Sequence, residues 1–327
     1  MPFAKEYTVA LNAVYQASRL CSRLQQTLGT EETVIKSDES PVTVADFASQ
    51  VIITANLLRS FPNIPIIAEE DSETLRSSEN AALLQTVQHL VQTSELQTDN
   101  EDILQWLDTP TPSSTAETFW TIDPIDGTKG FVAGRQYAIA LALIHKGEIA
   151  LGVLGCPALK NTTEVPGLVF GSNQGDTARL YPLFSTSEGQ PIKVNSSPVV
   201  SEAVFCESVE TGHSNHSASQ EIANKLGITT PPFRIDSQCK YAAVARGDAS
   251  IYLRLPTRKD YQEKIWDHAA GVAIVEAAGG KVTDIHGKPL DFTQGTTLSA
   301  NRGVVATCGA IHDAVIEAVT STLPPSN

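Results

Sequence analysis

The sequence predicts an α/β protein of two lobes, on three observations. A chain of 327 residues with 41% apolar content can fill more than one hydrophobic core. Short apolar, strand-like runs alternate along it with stretches of helical periodicity. Two of those runs end in clustered carboxylates, as expected where strands stop at the ligand-binding edge of an α/β sheet.

The elements follow in order. Val9, Leu11, Ala13, Val14, Ala17, Leu20, Cys21 and Leu24 recur at helical spacing and predict an amphipathic helix over 4–27, ended by Gly29. A polar link, Lys36 to Thr43, leads to a second helix from about Ala45 to Arg59. Ile64 to Ala68 is a short buried strand that delivers Glu69-Glu70-Asp71. Residues 72–118 read as a polar helical insertion ending in the loop-like run Thr109 to Thr115. Phe119 to Ile122 is the next strand, followed by a tight turn at Asp123–Thr128. Ala138–Ile144 and Ile149–Leu154 flank Lys146-Gly147 and predict an antiparallel pair. Beyond lie strands near 168–171, 191–194, 203–209, 250–255, 281–285 and 303–307. Helices are expected near 217–226, 238–246, 268–278 and 310–320. Pro157 to Pro166 breaks the pattern, so the lobes are expected to be 1–160, with most of the carboxylate cluster, and 161–327.

Charge narrows the function. The net charge of −14 argues against non-specific nucleic-acid binding. Glu69 to Asp126 holds thirteen acidic residues against one basic, whereas Arg234 to Lys264 holds seven basic against four acidic. One segment suits cations and the other anions, and a phosphate monoester held between metal ions and basic side chains would use both. The five cysteines are scattered without a C-x-x-C and read as free thiols in a reducing, cytoplasmic setting. The longest apolar run, Ala138 to Ile144, is far too short to span a membrane, and the N-terminus lacks an apolar signal segment.

The chemistry concentrates in Asp123-Pro124-Ile125-Asp126-Gly127-Thr128. Proline fixes one φ and glycine permits a conformation other residues resist, so two carboxylates and the Ile125 carbonyl can be aimed at one point. Such an oxygen-rich site suits a hard cation like Mg²⁺, although a D-x-x-D-G also serves simply to bend a chain. Asp267, in Trp266-Asp267-His268-Ala269-Ala270-Gly271, precedes an apolar helical run. It reads as a helix N-cap, a cation ligand, or both. Ser237-Gln238-Cys239-Lys240 fits S-x-x-K, but its companion motifs are missing from the sequence, as is a P-loop.

Glu69-Glu70, the Asp123–Thr128 motif and Trp266–Gly271 together resemble the lithium-sensitive, magnesium-dependent phosphatase superfamily that includes inositol monophosphatase. The likeness runs in order over most of the chain. It implies alternating α-β-α-β-α layers with the site between two lobes. It also implies two or three Mg²⁺ ions, held by Glu69, Asp123, Ile125 through its carbonyl, Asp126 and Asp267. Ser40 to Asp46, Gly212-His213-Ser214, Asp236 to Tyr241, Tyr252 to Pro256 and Tyr261 to His268 are similar to the fungal branch of 3′(2′),5′-bisphosphate nucleotidases. In that branch the positions matching Asp46 and Thr128 activate the attacking water. Those matching His213, Ser237, Lys240 and Arg254 contact the nucleotide, with Thr128 and Asp267 also at the substrate. A turn hydrogen bond for Thr128 and a helix cap for Asp46 are the plainer alternatives.

The resemblance implies hydrolysis of 3′-phosphoadenosine 5′-phosphate to AMP and phosphate, and activity on its 5′-phosphosulfate analogue. Inhibition by Li⁺ or Na⁺ and a role in sulfate assimilation and salt tolerance go with it. A monomer acting on a small molecule, with neither nucleic acid nor membrane as partner, is expected. The alternatives are an inositol phosphate phosphatase of the same superfamily and a non-catalytic nucleotide or cation sensor.

Overall fold

The computed structural model describes residues 2–27, 33–35, 41–94, 96, 98–108, 116–160, 166–196, 199–209, 216–256, 258 and 260–323. The Lys36–Ser40 link, the Thr109–Thr115 run and Gly212-His213-Ser214 therefore lie outside the described residues.

Helix α1 (Ala4–Gln25) buries Ala10, Ala13, Val14, Ala17, Leu20, Cys21 and Leu24, the stripe its periodicity predicts. A short antiparallel ribbon, β1 (Thr33–Ile35) with β2 (Pro41–Thr43), leads into α2 (Val44–Ser60). Thr43 and Asp46 cap α2 reciprocally, each side chain bonding the other's backbone end of the first turn.

The first sheet has seven strands lying side by side in chain order: β3 (Ile66–Ala68), β4 (Thr118–Asp126), β5 (Ala138–His145), β6 (Glu148–Lys160), β7 (Pro166–Asn173), β8 (Arg179–Pro182) and β9 (Gln190–Pro191). Only β3 and β4 pair in parallel; the other neighbours are antiparallel. The 72–118 insertion folds as α3 (Glu73–Arg76), α4 (Ala81–Gln92) and α5 (Asn100–Leu107), and α6 (Thr128–Val132) follows β4. The sheet runs on past residue 160, where the sequence places the change of lobe, because β7 to β9 still belong to it.

The second sheet contains β10 (Phe205–Glu207), β11 (Phe233–Arg234), β12 (Ile251–Arg254), β13 (Lys281–Thr283) and β14 (Val304–Thr307), in spatial order β11-β10-β12-β14-β13. Its helices are α7 (His216–Lys225), α8 (Cys239–Arg246), α9 (Ala269–Ala277) and α10 (His312–Thr322).

Three cores join these parts into five layers. Val14, Phe47 and Val51 from α1 and α2 pack on Ile139, Leu141 and Leu143 of β5. The opposite face of β5 carries Ala138, Ala140 and Ala142, which share a core with Tyr241 and Val244 of α8, Val272 and Val275 of α9, and Tyr252 and Ala306 of the second sheet. The far face of that sheet, Phe205, Ile251, Leu253 and Val305, is closed by Ile222 of α7 and Val315 and Val319 of α10. The order is thus α-β-α-β-α, as the sequence predicts. Burial on both faces explains why β5 reads as a continuous apolar run rather than an alternating one.

Two expectations need correction. β4 does not stop at Ile122 before a turn; it stays paired with β5 to Asp126, with a bulge between Asp123 and Asp126. The extra residues of a bulge bend the strand and re-aim its side chains, which is how both carboxylates leave one strand together. β1, β2, β8 and β11 were not predicted, since each is only two to four residues long; β2 falls in the run read as a polar link.

Candidate active site

Helix α2 is the clamp on which the site is assembled. Its inner residues are apolar except along one face, where Asp46, Ser49 and Gln50 follow i, i+3, i+4 spacing and are each at most 1% exposed. Ser49 Oγ donates to the Pro124 carbonyl (2.9 Å) and so holds the β4 bulge. Gln50 exchanges two hydrogen bonds with the Glu70 backbone, Nε2 to O (2.6 Å) and N to Oε1 (3.0 Å), fixing the segment that follows β3. Asp46 Oδ1 accepts from Thr128 Oγ1 (3.1 Å), while its Oδ2 accepts from the Thr43 backbone N–H (2.8 Å) and hydroxyl (2.6 Å). One helix face thereby sets three chain segments that are remote in sequence.

Gly127 ends β4 in the left-handed region (φ 92°) and starts α6, placing Thr128 in the first turn. A side chain at 127 would be strained there, and its Cβ would sit 3.0 Å from Ser237 Cβ. The β4–α6 junction and the start of α8 meet at that contact. The Gln238 backbone N–H donates to Asp126 Oδ2 (2.5 Å), and Ser237 itself holds a positive φ of 64°. A non-glycine residue in that region marks local strain, and here it lies at a cavity wall.

The cavity, about 310 Å³ in volume, is lined by residues from both sheets. Glu69, Asp123, Ile125, Asp126 and Asp267 line it, as do Thr128, Ser237, Lys240 and Arg254. Every predicted site residue among the described ones is therefore at the cavity or, for Asp46, bonded to Thr128. His213 lies outside the described residues.

The acidic wall is electrostatically unsatisfied without a cation. Burial raises the Asp123 carboxyl well above the carboxylate range, and the charges of Glu69, Asp126 and Asp267 add to it. Burial also pushes Asp267 up to about 6; Asp126 adds to the rise, while His268 and Arg254 oppose it. Asp123 Oδ1 is buried with no hydrogen-bond partner. A buried carboxylate oxygen without a donor, in a cavity lined by three more carboxylates, is chemistry that suits a hard divalent cation. The residues fit Mg²⁺.

The same cavity also holds two cations. Lys240 is 4% exposed, its Nζ donates to Ser208 Oγ (3.2 Å) and it lies 5.3 Å from the centre of the Tyr252 ring. Burial lowers its pKa, and Asp126 counteracts that. Arg254 ends β12, with Nε 3.3 Å from Glu263 Oε2, a contact that secures its charge against burial. Sequence reasoning did not find Ser208, Tyr252, Tyr261 and Lys129, which also line the cavity, or the positioning roles of Ser49, Gln50 and Gln238. The one available signal was the polar i, i+3, i+4 face of the otherwise apolar α2.

Comparisons with known proteins agree with this arrangement. The profile of the Inositol monophosphatase family matches residues 4–323. A 3′(2′),5′-bisphosphate nucleotidase of Emericella nidulans is 40% identical, covering 99% of each chain. Proteins of the same name from Schizosaccharomyces pombe (98% of this chain, 96% of that one) and Oryza sativa (100% and 96%) are also 40% identical. Among solved structures, an IMPase of Thermotoga maritima matches with a TM-score of 0.68 at 21% identity, over 97% of this chain and 98% of that one. The extragenic suppressor protein suhB of Bartonella henselae matches at 0.69 and 18%, over 98% and 100%. With the fold, the acidic cavity and the full-length matches in agreement, the chain belongs to the inositol monophosphatase family.

Proposed function

We propose that the protein is a Mg²⁺-dependent phosphatase that removes the 3′-phosphate of 3′-phosphoadenosine 5′-phosphate, giving AMP and phosphate. The observation that carries this reading is one cavity that combines an acidic wall, Glu69, Asp123, Asp126 and Asp267, with the cations Lys240 and Arg254. A monoester needs only the acidic wall and its metal ions. A bisphosphate needs a second grip away from them, which Arg supplies as a fork and Lys as a point charge. The shared name of the fungal and plant relatives supports the same substrate.

When bound, Mg²⁺ would supply charge neutralisation and Lewis acidity at the phosphate. Glu69, Asp123, the Ile125 carbonyl, Asp126 and Asp267 would hold the ions, two or three in number. The Thr128 hydroxyl has one hydrogen, directed at Asp46 Oδ1 (3.1 Å) or the Ile125 carbonyl (3.2 Å), so it meets the attacking water as an acceptor. Asp46, anchored at its other oxygen by Thr43, takes up the displaced proton character. Lys240, Arg254 and Ser237 orient the phosphate that is not cleaved, with His213 as a further nucleotide contact.

The reading extends to the 5′-phosphosulfate analogue, to Li⁺ or Na⁺ inhibition, and to a part in sulfate assimilation and salt tolerance. A cytoplasmic setting fits five buried free cysteines among the described residues. No helix among the described residues is long and apolar enough to cross a membrane. Phosphate release from the nucleotide and from inositol 1-phosphate, each with Mg²⁺, tests the substrate. A higher kcat/KM for the nucleotide is expected. Preference for inositol 1-phosphate would overturn the choice, and nucleotide binding without phosphate release would favour a sensor.

A further inference from the structure

Residues 261–268 carry more of the site than one metal ligand. The segment is fastened to 296–298 by Ile265 N–H to the Thr296 carbonyl (3.2 Å) and Leu298 N–H to the Glu263 carbonyl (2.8 Å). Trp266 O accepts from Gln238 Nε2 (3.0 Å). From this anchored stretch Tyr261 places its ring 5.9 Å from the Arg254 guanidinium carbon, Asp267 faces the acidic wall, and Glu263 points inward.

Glu263 is 5% exposed, and its Oε2 receives two donors, Arg254 Nε (3.3 Å) and His268 Nε2 (3.1 Å). Since a carboxylate only accepts, Nε2 carries the hydrogen, and Nδ1 shares a hydrogen bond with Tyr241 Oη (2.7 Å). Tyr241 is wholly buried, edge-on to Tyr252 at 5.0 Å and closely backed by Gly271, where an added Cβ would fall 2.2 Å from the ring. The chain Tyr241–His268–Glu263–Arg254 thus runs from a fixed aromatic ring to the cavity. Glu263, Asp267 and His268 offer ligand atoms within 4.8 Å of one another. Arg254 and His268 already occupy the Glu263 oxygen, which directs this carboxylate to a side chain rather than to a cation.

We propose that Glu263, held by His268 and Tyr241, is a positioning residue that aims the Arg254 guanidinium at the phosphate that is not cleaved. It contacts the Nε edge of the fork, leaving its role one of orientation, not of substrate contact. This rests on the bisphosphate reading above.

The test is phosphate release by the full chain with Mg²⁺, on 3′-phosphoadenosine 5′-phosphate and on adenosine 3′-monophosphate, which lacks the second phosphate. Glu263→Gln is expected to raise KM for the bisphosphate roughly tenfold or more, the scale of a charge-assisted hydrogen bond, and to affect the monophosphate less. In an Arg254→Ala background the same change is expected to alter KM by less than about twofold, because the two residues act as one unit. Equal proportional losses on both substrates, or multiplicative effects in the double variant, would overturn the proposal. Tyr241→Phe removes only a hydroxyl and is expected to shift bisphosphate KM in the same direction by a smaller factor. Should Glu263→Gln not fold, an unchanged or substrate-independent KM in Tyr241→Phe overturns it equally. A wild type that does not distinguish the substrates sinks the bisphosphate reading, and the Glu263–Arg254 coupling, measured on the better substrate, still decides the positioning role.

Discussion

Asp123 shows at the scale of one residue why the acidic wall needs a partner. Its Oδ1 is buried and unbonded, and burial with three neighbouring carboxylates opposes its ionisation. Asp123→Asn removes that charge while keeping the shape. Turnover is expected to fall by more than about a hundredfold, beyond the loss typical of outer contacts to a metal ligand. The melting temperature in chelator should hold or rise, since the repulsion is relieved. Wild-type turnover in this variant would discredit the ligand assignment. Arg254→Ala, in the same cavity, should weaken bisphosphate selectivity more than hydrolysis of a simple monophosphate, by roughly the ten- to hundredfold of a lost charge-assisted pair. Equal losses, measured as kcat/KM on both substrates, would count against its role. Asp123, Ile125 and Asp126 were legible in the sequence as residues of one site, which the cavity lining now shows them to share, because they sit together beside a proline and a glycine. Glu263 was not, because nothing local distinguishes a buried carboxylate that pairs with Arg254 from a solvated one.

Among elements, α2 and α9 decide how well the site is held. Ser49 is the link from α2 to the bulge, and Ser49→Ala should cost ~1 kcal/mol by leaving the Pro124 carbonyl without its donor. The loss should appear in kcat as well as in the melting temperature, because the bulge carries both Asp123 and Asp126. A fall in melting temperature with untouched kcat would confine Ser49 to stability. Gly152 on β6 faces α9 so closely that a Cβ would lie 2.8 Å from the Ala270 carbonyl and from Ala273 Cβ. Gly152→Ala should therefore cost ~1–3 kcal/mol as overpacking, read by denaturant titration. Long periodic elements such as α1, α2 and α9 were predicted to within a few residues, because one or both faces are buried and the pattern follows. The β4 bulge was read as a turn, since proline and glycine punctuate turns and bulges alike, and only pairing with β5 tells them apart.

For the whole molecule, the carboxylate cluster links stability to pH and to metal. Asp267, pushed up to about 6, and Asp123, raised further from its ordinary range, favour the folded state while protonated. Their contribution is complete below the unfolded carboxylate pKa and is lost as pH rises through the folded values. The metal-free protein should thus lose the Asp267 share between about pH 4 and pH 6, and the Asp123 share as pH rises through its raised value. Mg²⁺ binds the ionised groups, so its gain in melting temperature should be larger at about pH 7.5 than at about pH 5. An equal gain at both, by calorimetry with and without chelator, would contradict the linkage. The α/β class was legible from the alternating elements, and the five-layer order from the family resemblance that the motifs carry. The extent of the first sheet past residue 160 was not, because strand partnership is a tertiary property that the break at Pro157–Pro166 only interrupts.

The most direct measurement is anomalous diffraction from a crystal soaked in Mn²⁺ as a stand-in for Mg²⁺. Peaks are predicted in the cavity among Glu69, Asp123, the Ile125 carbonyl, Asp126 and Asp267. A cavity without anomalous density, with the bound ions elsewhere on the surface, would contradict the account.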